Sequence, residues 1–381
     1  MTFRRTAPAV LIAAVVVMVA IISVVSTLIA RQMTASFEEA QFELMSRVMS
    51  SGLGSAEMQA TAGAEWIAAL PPVKKTFASR NREELLAITK DAFGLQRDKY
   101  GLSQAQFHTP DIKSFLRVHN PARFGEDLSG YRQIVVESNE SKAIRRGIEI
   151  TTSGVGIFGT VPVTDPAGKH AGTFETAMEF GPLLDGLKKT YGFELAVFID
   201  EKALRATATS LGGDVLSPNN RVGKYVLFHA THPDLLRSLV TDGDINVTED
   251  ANYVRDSASV PYGVLLQPVY NFAKKQIGVV AVVKNFSAMQ SAGGNAVLWQ
   301  LMLGLISAVV LIGFVLVVIR GMLLQPLAVV GERFAALAAG DASQSIPEAQ
   351  AMCTELQDLA GSYESLRQKA QPSGPAGEQA S

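Results

Sequence analysis

Two long apolar runs, one near each end, dominate the pattern of the chain. Ala7–Ala30 and Ala296–Ile319 each hold 24 residues with no charged side chain. A helix needs roughly 20 apolar residues to cross a bilayer, so both are expected to be membrane helices. The first is too long for the apolar core of a cleaved signal peptide, about 7–15 residues, and no small-x-small cleavage site follows Leu28-Ile29-Ala30. Trp299 stands at the mouth of the second, where an aromatic ring suits the membrane–water interface.

From Gln32 to about Ala69 the period changes. Met33, Phe37, Ala40, Leu44 and Val48 recur at steps of three and four, one helical stripe continuous with the first apolar run. Such a stripe serves either a stalk paired with a second chain or a helix packed on its own domain, and both readings stay open. Gly52 and Gly54 weaken it in the middle. Beyond Pro71-Pro72 the texture is of short strands: Ala105–His108, Ser114–His119, Ile144–Thr151, Gly156–Val163 and Ala171–Met178. Asp127–Ser138, of mixed polarity, suits a helix or loop. A helix over Pro182–Lys189 leads to a second set of strands: Leu195–Ile199, Lys224–Phe228, Val264–Tyr270 and Ile277–Lys284. The fold class is therefore α+β.

A weak internal repeat links the two strand sets. Pro162-Val163 is followed by Gly172 ten residues after the proline, and Pro268-Val269 by Gly278 at the same interval. Strand, Pro-Val, polar turn, Gly and strand come in that order twice, which predicts two similar modules in tandem. The boundaries are a distal module over about 70–190 and a proximal one over about 191–290.

Charge adds topology. Arg4 and Arg5 precede the first run and Arg320 follows the second, so both termini are expected in the cytoplasm and residues 31–295 outside. The 34 basic and 36 acidic side chains give a formal charge of −2, without the basic excess that a nucleic-acid partner calls for. The only cysteine, Cys353, falls on the inner side, so the outer region must be held by hydrophobic cores alone.

Several local motifs resemble the double Cache sensory domains of bacterial receptors, and the Cache-3 subgroup in particular. They are Phe107-His108-Thr109-Pro110, Ser114-Phe115-Leu116-Arg117-Val118-His119, Pro121, Phe124-Gly125-Glu126-Asp127-Leu128, Tyr131-Arg132 and Gly147-Ile148-Glu149. Val161-Pro162-Val163, with Gly168 and Gly172 behind it, belongs to the same likeness. The resemblance implies tandem PAS-like modules on a stalk helix, similar to the N-terminal parts of methyl-accepting chemotaxis proteins and sensor kinases. The chain departs from the pattern at Phe158, where an Arg is expected.

The segment after Arg320 resembles a HAMP module. Pro326 suits the first turn of a new helix, and Val330, Phe334 and Leu337 form a short heptad seam. Gly340-Asp341 stops that helix, Ile346 is an isolated apolar residue in the connector, and Met352, Leu356, Leu359, Tyr363 and Leu366 resume the seam. Pro326 and Glu355, which opens the second helix, match the family's relay pattern. The resemblance implies a parallel four-helix bundle built by two chains over 320–370. Neither seam is long enough to be stable alone, which also points to a homodimer. The tail from Gln371 is rich in Pro, Gly and Ser and suits disorder.

Catalytic and metal chemistry finds little support. His229 and His232 have i,i+3 spacing with no carboxylate or Cys to complete a metal set, and no nucleophile elbow or phosphate-binding loop is present. No cofactor is expected. Ligand binding suits the residues better: Arg117 and His119 would share one strand face, a guanidinium fork suits a carboxylate, and Phe107, Tyr131 and Arg132 would complete the wall. The competing use of Arg117 is a structural pair with Glu149 or Asp127. The expected protein is a two-pass sensor of the bacterial inner membrane. It binds a small solute outside and relays a signal through the HAMP-like module to a separate kinase, cyclase or chemotaxis component. The alternatives are a truncated or split chemoreceptor without its output domain and a membrane-anchored ectoenzyme.

Overall fold

The computed structural model describes residues 3–346 and 354–371. The chain divides into two compact units, Ala35–Gln290 and a second made of Met1–Thr34 with Ser291–Ser381. One helix, α1 (Phe3–Ala68), enters both.

In the first unit α1 uses two faces. Phe42, Met45, Met49, Ala56, Ala60, Ala64 and Ile67 are buried against the unit's own core at helical steps. The stripe read from the sequence lies mostly elsewhere: Val48 is buried, but Met33, Phe37 and Leu44 are 55%, 57% and 41% exposed. The helix thus packs on its own domain from Phe42 onward and presents a second apolar edge that this chain leaves uncovered.

The region after Pro71-Pro72, expected to turn to strands, first forms two helices, α2 (Pro71–Ala78) and α3 (Arg82–Tyr100). Pro71 sits where its missing N–H costs nothing. Asn81 Oδ1 accepts from Glu84 N and its amide donates to Glu84 Oε2 at 2.9 Å, a reciprocal cap that starts α3. Gly101, at φ 70°, ends it.

Five antiparallel strands follow: β1 (Leu102–His108), β2 (Ser114–Arg117), β3 (Arg145–Thr151), β4 (Gly154–Thr164) and β5 (His170–Glu179), in the order β2-β1-β5-β4-β3. Between β2 and β3 a loop leads into α4 (Gln133–Ser141), which lies over β3, β4 and β5. Helix α5 (Phe180–Tyr191) connects to the second sheet. Its strands are β6 (Glu194–Asp200), β7 (Arg221–Val222), β8 (Tyr225–Ala230), β9 (Ala251–Ser257), β10 (Val260–Tyr270) and β11 (Gln276–Asn285), in the order β7-β8-β6-β11-β10-β9. With the two-residue β7 set aside, both sheets share one topology. The edge strand β9, which the sequence reading passed over, is the counterpart of β3.

The Pro-Val repeat has a geometric basis. Val163 pairs with Gly172 and Val269 with Gly278, each just before a register shift. A Cβ on Gly172 would lie 2.1 Å from His108 O, and one on Gly278 2.3 Å from Phe198 O. Both glycines let the central strand of their sheet run hard against its neighbour. Each proline sits beyond the reach of the edge strand, whose pairing stops at Thr160 and Leu266, so its missing N–H breaks no ladder.

In the second unit, α8 (Ser287–Val318) runs through a π-helical turn, Ile319–Leu324, into α9 (Gln325–Ala338). Pro326 thus stands in the first turn of α9, as expected, although the helical path from α8 continues into it through the wider turn. The wider turn rearranges the backbone bonds just ahead of a residue that has no N–H to donate. Val330, Ile346, Ala360 and Tyr363 form a buried cluster between α9 and α10 (Thr354–Ala370), with Phe334 and Leu337 against it. Ile346 is thus part of a core and not an isolated connector residue, and its N–H donates to Glu364 Oε1. Leu359 and Leu366 of the expected seam face outward. Met352, the side chain of Glu355 and the tail after Gln371 lie outside the described residues.

The closest approach of helix to sheet makes a test. A Cβ on Gly159 would fall 2.2 Å from Thr61 N, whereas one on Gly94, inside α3, meets nothing within 4 Å. In thermal and chemical unfolding of the full chain in detergent, Gly159→Ala should lose about 1–3 kcal/mol or more through overpacking. Gly94→Ala should gain about 0.5–1 kcal/mol by removing backbone entropy from the unfolded state. Equal, small effects at both positions would contradict this packing.

Candidate ligand site

The two faces of the first sheet differ in chemistry. Phe107, Phe174 and Val161 point to the side of α1 and α2, where Phe107 stacks at 4.2 Å from Phe174 and 5.1 Å from Phe77. The alternate residues turn to the other side, beneath α4: Gln106 and His108 on β1, Arg117 on β2, Glu149 on β3, Phe158 and Thr160 on β4, Thr173 and Glu175 on β5. The register sets this, with Gln106 opposite both Arg117 and Glu175, and Thr160 opposite Glu175.

Arg132, the residue before α4, reaches into the middle of that polar face. Its guanidinium donates to both Glu175 oxygens at 2.9 and 2.7 Å and to Glu149 Oε2 at 2.8 Å. It lies 4.4 Å over the ring of Phe158, so the residue standing where an Arg is expected supports an Arg from another segment. Glu149 Oε1 accepts from Ile134 N in the first turn of α4, and Thr160 Oγ1 donates to Glu175. Arg132, Glu149 and Glu175 are all buried. Burial works to raise the Glu175 carboxyl, but Arg132, with His108 beside it, holds it at about 2. For Glu149, burial prevails over Arg132 and the carboxyl is raised. Glu175 takes two of the guanidinium's bonds and Glu149 only one, which sets the two carboxyls apart.

A second group lies nearer to solvent. Arg117 Nη1 meets Glu126 at 2.7 Å and Arg123 Nε meets the same carboxylate at 2.7 Å. Arg117 also donates to Arg123 O. Burial would raise Glu126, yet the hydrogen bonds from Arg117 and Arg123 bring it down to about 2. Arg117 thus pairs with Glu126, not with Glu149 or Asp127.

The structure therefore brings Arg117, Tyr131 and Arg132 to one side of the sheet and places Phe107 on the other. Tyr131 is half-buried beside Arg132, and burial raises its phenol. β2 ends at Arg117, so the strand alternation does not carry to His119. That ring bonds the backbone of Ala105 through Nδ1, lies 6.5 Å from Phe93, and is lowered by burial. His108, Glu149 and Glu175 are members that the sequence reading did not select. A lone carboxylate at the centre of a strand as apolar as Ala171–Met178 was the available signal, because an unpaired charge is not kept in a core. Among the described residues no group of three or more His, Cys, Asp or Glu is placed to hold a metal ion. A groove of about 690 Å³ runs along α1 past Arg47, Ser51, Ser55, Gln59 and Tyr191, over an apolar floor that includes Val48, Met178 and Leu187, and takes in no member of the Arg132 cluster.

Two measurements test this electrostatic arrangement. Arg132→Met, which leaves two buried carboxylates without their counter-charge, should cost roughly 3–5 kcal/mol in denaturant unfolding. Because Glu175 sits at about 2 against an ordinary 4.5, its stabilisation is complete above the ordinary value and is lost as pH falls toward 2. Glu175→Gln should flatten that acid limb of the stability curve; an unchanged limb would place the linkage elsewhere.

Comparison with known proteins gives the same kind of domain. Residues 38–290, about two thirds of the chain, match the family described as the double sensory domain of two-component sensor kinases, dCache_3. No curated protein sequence matches the chain. Similar solved structures include the ligand-binding domain of the Campylobacter jejuni chemoreceptor Tlp3 with 4-methylisoleucine, at 13% identity and a TM-score of 0.41, covering 68% of this chain and 94% of that one. The sensor domain of the Vibrio cholerae histidine kinase DctB is similar at 10% identity and a TM-score of 0.39, covering 66% and 98%. The periplasmic domain of Vibrio cholerae LuxQ stands at 10% and 0.40, covering 64% and 98%. The chain belongs to the dCache_3 family, and its two-sheet region is a double Cache sensory domain.

Proposed function

We propose that this chain is a two-pass receptor of the bacterial inner membrane, with residues 31–295 outside and both termini in the cytoplasm. It senses a small solute and passes a conformational signal to a separate output protein. The family points to a receptor and not to an enzyme. One observation carries the reading: α1 is continuous from its apolar segment to its contact with the first sheet. Thr176 Oγ1 donates to Ala60 O at 2.5 Å, and Thr176 is the chain neighbour of Glu175 on the polar face. A change on that face therefore lies one residue from a direct bond to α1.

Among the described residues two helices are long and apolar enough to cross a membrane. Gln300 donates to Ser26, and a Cβ on Gly304 would come 3.1 Å from Ser23 Oγ, the close, small-residue contact that suits helices in lipid. The α9–α10 cluster supports a HAMP-like relay that includes Pro326 and Glu355. A homodimer would cover the outward edge of α1 at Met33, Phe37 and Leu44 and the outward Leu359 and Leu366. A kinase, cyclase or chemotaxis component would receive the signal.

For the ligand, a solute carboxylate can exchange for Glu126 on Arg123, whose side chain is 39% exposed, and on the buried Arg117 behind it. Tyr131, Arg132 and His119 would frame it, with Phe107 holding β1 from behind. Binding must favour one arrangement of the receptor, since equal affinity for two shifts nothing.

Ser210→Cys in cells should react with a membrane-impermeant thiol reagent added outside; protection outside with labelling only from the cytoplasm would sink the topology. Thermal-shift screening of the full chain with organic acids and amino acids should find a stabilising solute. Arg117→Ala should then weaken its binding by about one to two decades while the protein stays folded, the loss of one charge-assisted bond. Unchanged binding would remove Arg117 from the site, and unfolding would make its pair with Glu126 structural.

A further inference from the structure

Beneath α4 the buried charges are two arginines and two glutamates, but their pairing is uneven, because Arg117 is taken by Glu126 and leaves Arg132 to both glutamates. Glu149 and Glu175 face one guanidinium, so with His108 neutral the cluster keeps one net negative charge away from water. His108, with no exposed surface, leaves its Nε2 without a hydrogen bond, 3.5 Å from Glu175 Oε1. A net buried charge is the least favourable state of such a cluster, and one added proton removes it. We propose that the Arg132–Glu149–Glu175–His108 cluster is a proton-binding site, with Glu149 the acceptor, through which the sensory domain responds to the acidity of its surroundings. The inference goes beyond solute sensing and does not depend on it.

The surroundings decide which member takes the proton. Glu175 holds two bonds of Arg132 and one from Thr160, and burial lowers His108 even though Glu175 draws a proton toward it. Glu149 keeps a single bond from Arg132 and is raised by burial. Arg117 comes from β2 and Tyr131 and Glu126 from the loop. β4 contributes only Thr160 and Phe158. α4 carries Glu137, which pairs with Arg145 of β3 at the surface, and ends at Lys142 near His170 of β5. The β10–β11 turn packs Phe272 against Gly147, with Lys274 following. Of these groups Arg132 alone bonds Glu149, so no second cation stands ready to hold its charge.

Protonation has a local consequence. Glu149 ties the first turn of α4 to the sheet, through Ile134 N at 2.8 Å, and positions Arg132 just before that turn. A neutral carboxyl is the weaker acceptor, so acidification should loosen the start of α4 while Glu175 keeps Arg132 in place.

Hydrogen exchange of the full chain in phosphatidylcholine nanodiscs tests this, corrected for intrinsic rates. As the pH is lowered from about 8 to about 4.5, exchange at the start of α4 in the wild type should rise on the order of tenfold. Glu149→Gln should show the fast rate at both values, and His108→Gln should keep the wild-type response. A response that survives in Glu149→Gln, or one abolished by His108→Gln, overturns the assignment; so does a wild type that does not respond. Should Glu149→Gln fail to fold, infrared difference spectra of the wild type and Glu149→Asp decide. A protonated-carboxyl band that forms in this window and shifts in the variant supports the proposal, and its absence ends it.

Discussion

The backbone of α1 lies directly on the first sheet. At Gly159 there is no room for even a methyl group, and at Thr176 a hydroxyl donates to a helix carbonyl. Such contact removes the layer of side chains that normally lets a helix and a sheet slide past one another. Much else follows from it. The sheet face against α1 must be small or apolar, so polar chemistry can gather only on the face beneath α4. β4 and β5 each carry both functions on adjacent residues: Phe158, Gly159 and Thr160 on one strand, Glu175 and Thr176 on the other.

That arrangement explains how a buried ionic cluster can be more than ballast. Ion pairs in a core seldom add net stability over a well-packed apolar alternative, because the desolvation of each charge offsets the attraction. Here they fix a conformation. Arg132 fastens the loop ahead of α4, Glu149 fastens the first turn of α4, and Glu175 sits one residue from the hydroxyl bonded to α1. The second sheet, with the same strand order, has instead an apolar core of Phe198, Leu227, Val264 and Val279 under α7 (Pro233–Leu239). Two modules of one topology thus differ in what they bury.

Periodicity and local motifs carried most of the element reading. The two charge-free runs, the strands from β1 to β6 and the Pro-Val repeat were legible because each depends on neighbours in the chain: an apolar alternation, a turn, a glycine at a close strand crossing. Helices α2 and α3 were missed although Asn81 and Glu84 spell out a cap, because the double proline reads as the break after which short strands begin. β9 was missed because it is an edge strand with polar and apolar residues mixed on both of its faces, so no clean alternation marks it.

The sequence alone determined that the chain has two apolar segments, an α+β region without disulfides and a repeated hairpin, since composition and short-range spacing decide those features. It also placed Arg117, Tyr131 and Arg132 close together along the chain. Only the tertiary structure decided their partners. Glu126, Glu149 and Glu175 are set by strand register and by the loop's path over the sheet, and a shift of one residue would turn every side chain to the other face. The same alternation put Phe107 in the core and its neighbour His108 in the cluster. Which residue of an adjacent pair meets α1 and which meets Arg132 depends on the side of the sheet the helix covers, and no local pattern encodes that side.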